Sequence, residues 1–104
     1  MIQGQRVKSA AVRPHVRITV VQTSACDLCE EAAAVLAELA KDHPISVDVV
    51  DAQSDVGREL VARNRPPRQP LVLVDGAYFS AGRLPRRKLE RALTARHATA
   101  ERAG

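Results

Sequence analysis

The chain has 104 residues, 45% of them apolar and 27% charged, with a formal net charge of +4. That length builds one small domain around a single hydrophobic core and leaves no room for a second. No apolar run approaches the roughly 18 residues that a membrane span needs. Aromatic residues make up only 2% of the chain, so there is no row of rings on which single-stranded bases could stack.

The amino end, "MIQGQRVKSAAVRPH", is positively charged but lacks the apolar core and small-residue cleavage site of a signal peptide. Together with a cysteine pair too small for a secreted disulfide framework, this predicts a cytoplasmic protein. Residues 16 to 22, "VRITVVQ", alternate in their first half and are rich in β-branched side chains, which predicts a first strand. A polar turn leads into "CDLCEEAAAVLAELAKDH", rich in Ala, Leu and Glu. Leu28, Ala32, Val35, Leu36 and Leu39 fall there on one helical stripe. Asp42, His43 and Pro44 close that helix, and "ISVDVVD" alternates Ile45, Val47 and Val49 against Ser46, Asp48 and Val50 as a second strand. Two strands joined by a helix pair in parallel.

A second helix over "SDVGRELVARNR" takes Ser54 or Asp55 as its cap and Val56, Leu60 and Val61 as its apolar side, with Gly57 as a weak point. The prolines of "RPPRQP" force a loop. "LVLV", the turn pair Asp75-Gly76 and "AYFSA" then form an antiparallel hairpin. Pro85 opens a last helix, "PRRKLERALTARH", which packs Leu84, Leu89, Ala92 and Leu93 and turns its arginines to water. The folded domain is expected over residues 14 to 97, between a flexible extension over 1 to 13 and a flexible tail over 98 to 104.

Both cysteines lie in "SACDLCEE", as Cys26 and Cys29. Cys26 falls at the amino end of the first helix, where unpaired backbone N–H groups and the positive end of the dipole favour a thiolate. Cys29 lies about one turn deeper on the same face, and its sulfur can reach back. Asp27, Glu30 and Glu31 suit a first helical turn but oppose a thiolate beside them, so the predicted activation is modest. Three chemistries fit such a pair: dithiol redox exchange, part of a metal site, or two small buried residues with no chemistry. A closed zinc site wants four ligands, and His15, His43 and His97 sit singly in different segments. No metal is therefore assigned; an iron-sulfur cluster shared across a dimer is the form in which the pair could still hold one.

The order β-α-β-α-β-β-α, with Cys-x-x-Cys at the junction of the first strand and first helix and Pro70 just before the third strand, resembles the thioredoxin superfamily. The short chain and its "LVLVDGAYFSAGRL" segment are similar to the glutaredoxin-like branch, over residues 16 to 95. The resemblance implies an α/β, thioredoxin-like fold with a four-stranded mixed sheet flanked by helices. It implies a small dithiol-disulfide oxidoreductase in which Cys26 attacks a substrate disulfide and Cys29 resolves the mixed disulfide. No cofactor is implied beyond the redox-active Cys26-Cys29 disulfide. The alternative is a non-catalytic thioredoxin-fold binding module, or a metal or iron-sulfur protein using the same cysteines.

Pro70, at the place of the superfamily's cis proline, is expected to form a substrate groove with Gln69 and Gly82. Arg65, Arg68 and Arg83 are the candidate contacts for an anionic group. Glutaredoxins typically carry Thr-Val before that proline, a basic residue before the first cysteine, an aromatic residue between the cysteines, and Gly-Gly followed by an acid near the last helix. This chain has Arg68-Gln69, Ser24-Ala25, Asp27-Leu28 and Ala81-Gly82-Arg83-Leu84 in those places. The implied partners are a disulfide-bearing protein or a low-molecular-weight thiol, and a thiol or thioredoxin-reductase-type reductant. Neither nucleic acid nor membrane is among them, and the protein is expected to be a monomer.

Overall fold

The computed structural model describes residues 15 to 103, and the side chains of residues 15 to 96. The extension expected over residues 1 to 13 lies outside the described residues. Among these, the elements run β1 (Val16–Gln22), α1 (Asp27–Leu39), β2 (Ile45–Asp51), α2 (Asp55–Asn64), β3 (Leu71–Val74), β4 (Ala77–Ala81) and α3 (Arg86–Ala103). The strands form one four-stranded sheet in the order β2-β1-β3-β4. β1 is parallel to β2, whereas β3 is antiparallel to both β1 and β4, so the sheet is mixed.

Central position explains the run "LVLV": β3 lies between β1 and β4, and all its residues are buried. A strand covered on both faces needs apolar side chains at every position, not every second one. On one face, Ile18, Val20, Val72 and Val74 pack beneath Ala32, Leu36 and Leu39 of α1 and Leu89 and Leu93 of α3. On the other, Val21, Leu71 and Leu73 meet Leu60 and Val61 of α2. The larger core therefore lies on the face that carries α1.

Several local expectations shift. In α1 the buried stripe is Cys29, Ala32, Leu36 and Leu39, with Cys29 in the place expected for Leu28, which is only partly covered. Positions 29, 32, 36 and 39 centre on one line of the helix, and Leu28 falls with Val35 on its partly covered flank. Val47 and Val49 of β2 are 40% and 60% exposed. β2 is an edge strand whose neighbour across the open groove is the small-residue flank Ala33, Ala37 and Ala40 of α1. Val56 of α2 likewise faces outward.

Gly57 is not the weak point its helix propensity suggests. A Cβ there would collide with the Asp51 carbonyl oxygen at the end of β2, so glycine lets α2 lie directly on the strand end. Ser54 caps this helix, its Oγ accepting the Gly57 N–H at 3.0 Å. The hairpin between β3 and β4 has positive φ at both Asp75 (50°) and Gly76 (86°), the backbone of a mirror-image two-residue turn. α3 continues past His97 to Ala103, into the segment expected as a tail over residues 98 to 104. Neither proline nor glycine interrupts it before Gly104, and Ala98, Ala100, Glu101, Arg102 and Ala103 are good to fair helix formers.

Candidate redox site

β1 runs out at Gln22, opposite Asp51 of β2, and the chain then turns through Thr23, Ser24 and Ala25 into α1. Ala25 has φ of 52°, in the left-handed region that non-glycine residues rarely occupy, and it reverses the chain immediately before Cys26. Cys26 is extended, at φ −120° and ψ 109°, and forms the N-cap of α1. Its Sγ accepts the Cys29 N–H at 3.1 Å, and its carbonyl accepts the Glu30 N–H at 3.1 Å. The sulfur thus takes the place of the oxygen that usually satisfies a first-turn amide.

Cys26 and Cys29 are joined by a disulfide, with Cα atoms 5.2 Å apart. Cys29 is 3% exposed and leads the buried stripe of α1, while Cys26 is only partly covered. The two cysteines are therefore unequal in access: Cys26 is partly open to solvent and Cys29 is almost wholly covered.

β3 begins at Leu71, which pairs with Val21 near the end of β1. Pro70 consequently lies at the end of the sheet from which the chain leaves for Cys26. It is fully buried, and the Gln69–Pro70 peptide is cis. The Pro70 carbonyl accepts the Gly82 N–H at 3.0 Å, joining the two loops that flank β3 and β4. Gly82 has φ of 90°, and a Cβ on it would come within 2.6 Å of Arg68 Cδ. The aliphatic stem of Arg68 therefore lies over Gly82. The side-chain Oε1 of Gln69 is buried without a hydrogen-bond partner among the described residues.

The anion candidates separate. Arg68 and Arg83 flank Gly82, whereas Arg65 sits at the C-cap of α2 with φ of 47°. Arg83 Nε is 3.6 Å from Glu31 Oε1, which ties the Gly82 loop to α1 just beyond the cysteine pair. This contact had no sequence signal, since the residues are far apart in the chain. It also qualifies the expected acidic flank: Glu31 is partnered, and Asp27 and Glu30 form no ion pair among the described residues.

No family model and no curated protein matches the chain. Solved structures do. A thioredoxin-like protein from Clostridium perfringens superposes with a TM-score of 0.64 at 14% identity, over 85% of this chain and 75% of that one. Fasciola hepatica thioredoxin superposes with a TM-score of 0.57 at 23% identity, over 82% of this chain and 83% of that one. The fold is thioredoxin-like. On this thioredoxin-like frame the Cys-x-x-Cys pair occupies the junction of β1 and α1, with Pro70 at the same end of the sheet.

Chemically, this arrangement can hold two electrons as a dithiol and release them by forming the disulfide. The helix terminus offers the Cys29 N–H and its dipole to a Cys26 thiolate, while Asp27 and Glu30 oppose that charge. Among the described residues, no group of three or more His, Cys, Asp or Glu side chains comes together in a way that could hold a metal ion. No described helix is long and apolar enough to cross a membrane.

Proposed function

We propose that the protein is a small dithiol-disulfide oxidoreductase of glutaredoxin-like type. The reading is carried by one observation: a closed Cys26–Cys29 disulfide whose accessible sulfur caps α1 and accepts the Cys29 N–H at 3.1 Å. In the reduced protein, the Cys26 thiolate attacks one sulfur of a substrate disulfide, and the other substrate sulfur leaves as a thiolate and takes up a proton. The Cys29 thiol then loses its proton and its sulfur attacks Cys26 Sγ. The second substrate sulfur is expelled, and the intramolecular disulfide closes. Two electrons and two protons pass from the protein dithiol to the substrate, and an external thiol or a reductase of the thioredoxin-reductase type restores them.

In this scheme Pro70 and Gly82, both buried, set the backbone beneath the groove, Gln69 lies at its partly exposed surface, and Arg68 and Arg83 stand beside it to meet an anionic group on the partner. Burial of Cys29 supports its assignment as the resolving thiol, because an incoming disulfide reaches Cys26 first. The partner is a disulfide-bearing protein or a low-molecular-weight thiol compound, met in a cytoplasmic setting that keeps the pair supplied with electrons. Reduction of a reference disulfide by the wild-type protein and by Cys26→Ser tests the reading. Turnover is expected in the first and a loss of more than about a hundredfold in the second; turnover that survives Cys26→Ser would show that the chemistry lies elsewhere.

A further inference from the structure

At the cysteine end of the sheet, the unpaired charges on the first turn of α1 and those on the segments next to Gly82 differ in sign. On the α1 side, Asp27 and Glu30 are exposed in the first turn. On the side of the Gly82 loop, Arg68 lies over Gly82, and Arg86 and Arg87 begin α3 a few residues further on. All of these are exposed and none forms an ion pair among the described residues. The Arg83–Glu31 ion pair links the two sides. Elsewhere on the sheet and helices some charges are answered within the molecule, as Arg17 is by Asp48, Arg63 by Glu59 and Arg96 by Asp75, while others, such as Asp42 and Arg91, form no ion pair among the described residues.

We propose that the disulfide partner is a polypeptide segment whose cysteine is flanked by opposite charges, an acidic side chain facing Arg68 and a basic one facing Asp27 and Glu30. The inference rests on the redox reading above and names the substrate class of that same site. A partner of a single sign gains on one side of the disulfide and is repelled on the other. A small thiol compound with one carboxylate spans one side only. A segment of mixed charge gains on both, and exposed charges of this kind act on encounter and on choice of partner more than on stability.

The test uses peptides that each carry one cysteine, disulfide-linked to a chromogenic thiol, and the pre-reduced full-length protein at low ionic strength. The peptides place Glu before and Lys after the cysteine, the reverse, Glu on both sides, Lys on both sides, or neutral residues. One of the two split-charge orders is expected to react about threefold faster than the neutral peptide, with the single-sign peptides at or below it. High salt is expected to erase the difference. Arg68→Glu is expected to shift the ratio of all-acidic to all-basic rates toward the basic peptide, and Asp27→Lys toward the acidic one. Equal rates for all the peptides, or a single-sign peptide as the fastest, would overturn the proposal while leaving the redox reading intact. No cysteine-dependent reaction with the neutral peptide would remove the redox reading, and the proposal with it.

Discussion

The two ends of the sheet are finished differently. At the hairpin end, Asp75 accepts the Arg17 N–H at 2.9 Å and the Arg96 guanidinium at 2.9 Å, and donates its own N–H to the Arg17 carbonyl at 2.8 Å. That end binds β1, the hairpin and α3 together, and the polar atoms of Asp75 are answered by Arg17 and Arg96. At the cysteine end, Gln69 Oε1 is buried without a partner, and Asp27, Glu30 and Arg68 have no ion-pair partner among the described residues. Asp75 is thus paired within the fold on both its backbone and its side chain, whereas at the other end Asp27, Glu30 and Arg68 face solvent outside any ion pair and Arg83 and Glu31 are paired.

Substitutions can break that contrast or sharpen it. The largest effect on stability is expected at Gly57, where α2 rests on the end of β2 beneath the cysteine end. Gly57→Ala forces a methyl group against the Asp51 carbonyl and should cost about 2 to 3 kcal/mol in denaturant unfolding, despite alanine's better helix propensity. A neutral or stabilising result would mean that the helix can lift off the strand without loss. Next comes Asp75→Ala, which removes the side-chain acceptor of two hydrogen bonds at a half-exposed position and places alanine at φ of 50°. About 1 to 2 kcal/mol is expected, measured in the same way.

Arg68→Ala should cost less than about 1 kcal/mol, because the exposed guanidinium forms no ion pair and what is lost is the contact of its stem with Gly82. A loss comparable with that of Asp75→Ala would show that the cysteine end is closed after all. The smallest effect is electrostatic: Glu30→Gln removes a negative charge one helical turn from Cys26. It should move the thiol titration of the reduced protein to lower pH, followed by thiolate absorbance. Movement in the opposite direction would contradict the opposition between the acids and the thiolate.

Much of the architecture was readable because local and global signals agree. β1 alternates where one face is buried, "LVLV" is apolar throughout because β3 is covered on both faces, and Asp75-Gly76 carries the turn chemistry its positive φ values require. The cysteines and Pro70 were readable from their positions in that order of elements. What escaped depends on contacts between distant segments. Nothing local in Gly57 reports the Asp51 carbonyl beneath it, and nothing in Arg68 reports that its stem covers Gly82. The alternation of β2 reads as burial, but on an edge strand Val47 and Val49 stay exposed. Ala25 shows no sign of its left-handed backbone, since alanine has no conformational preference for it.

The proposed division of labour between the two sulfurs follows their access, Cys26 partly open and Cys29 buried. It is tested most directly by mixing a peptide disulfide with the reduced Cys29→Ser and Cys26→Ser proteins and weighing the products by mass spectrometry. The expected result is a mixed disulfide that accumulates on Cys26 in the first and little or none on Cys29 in the second. Adducts of equal yield in both, or none in the first, would contradict the assignment of Cys26 as nucleophile and Cys29 as resolving thiol.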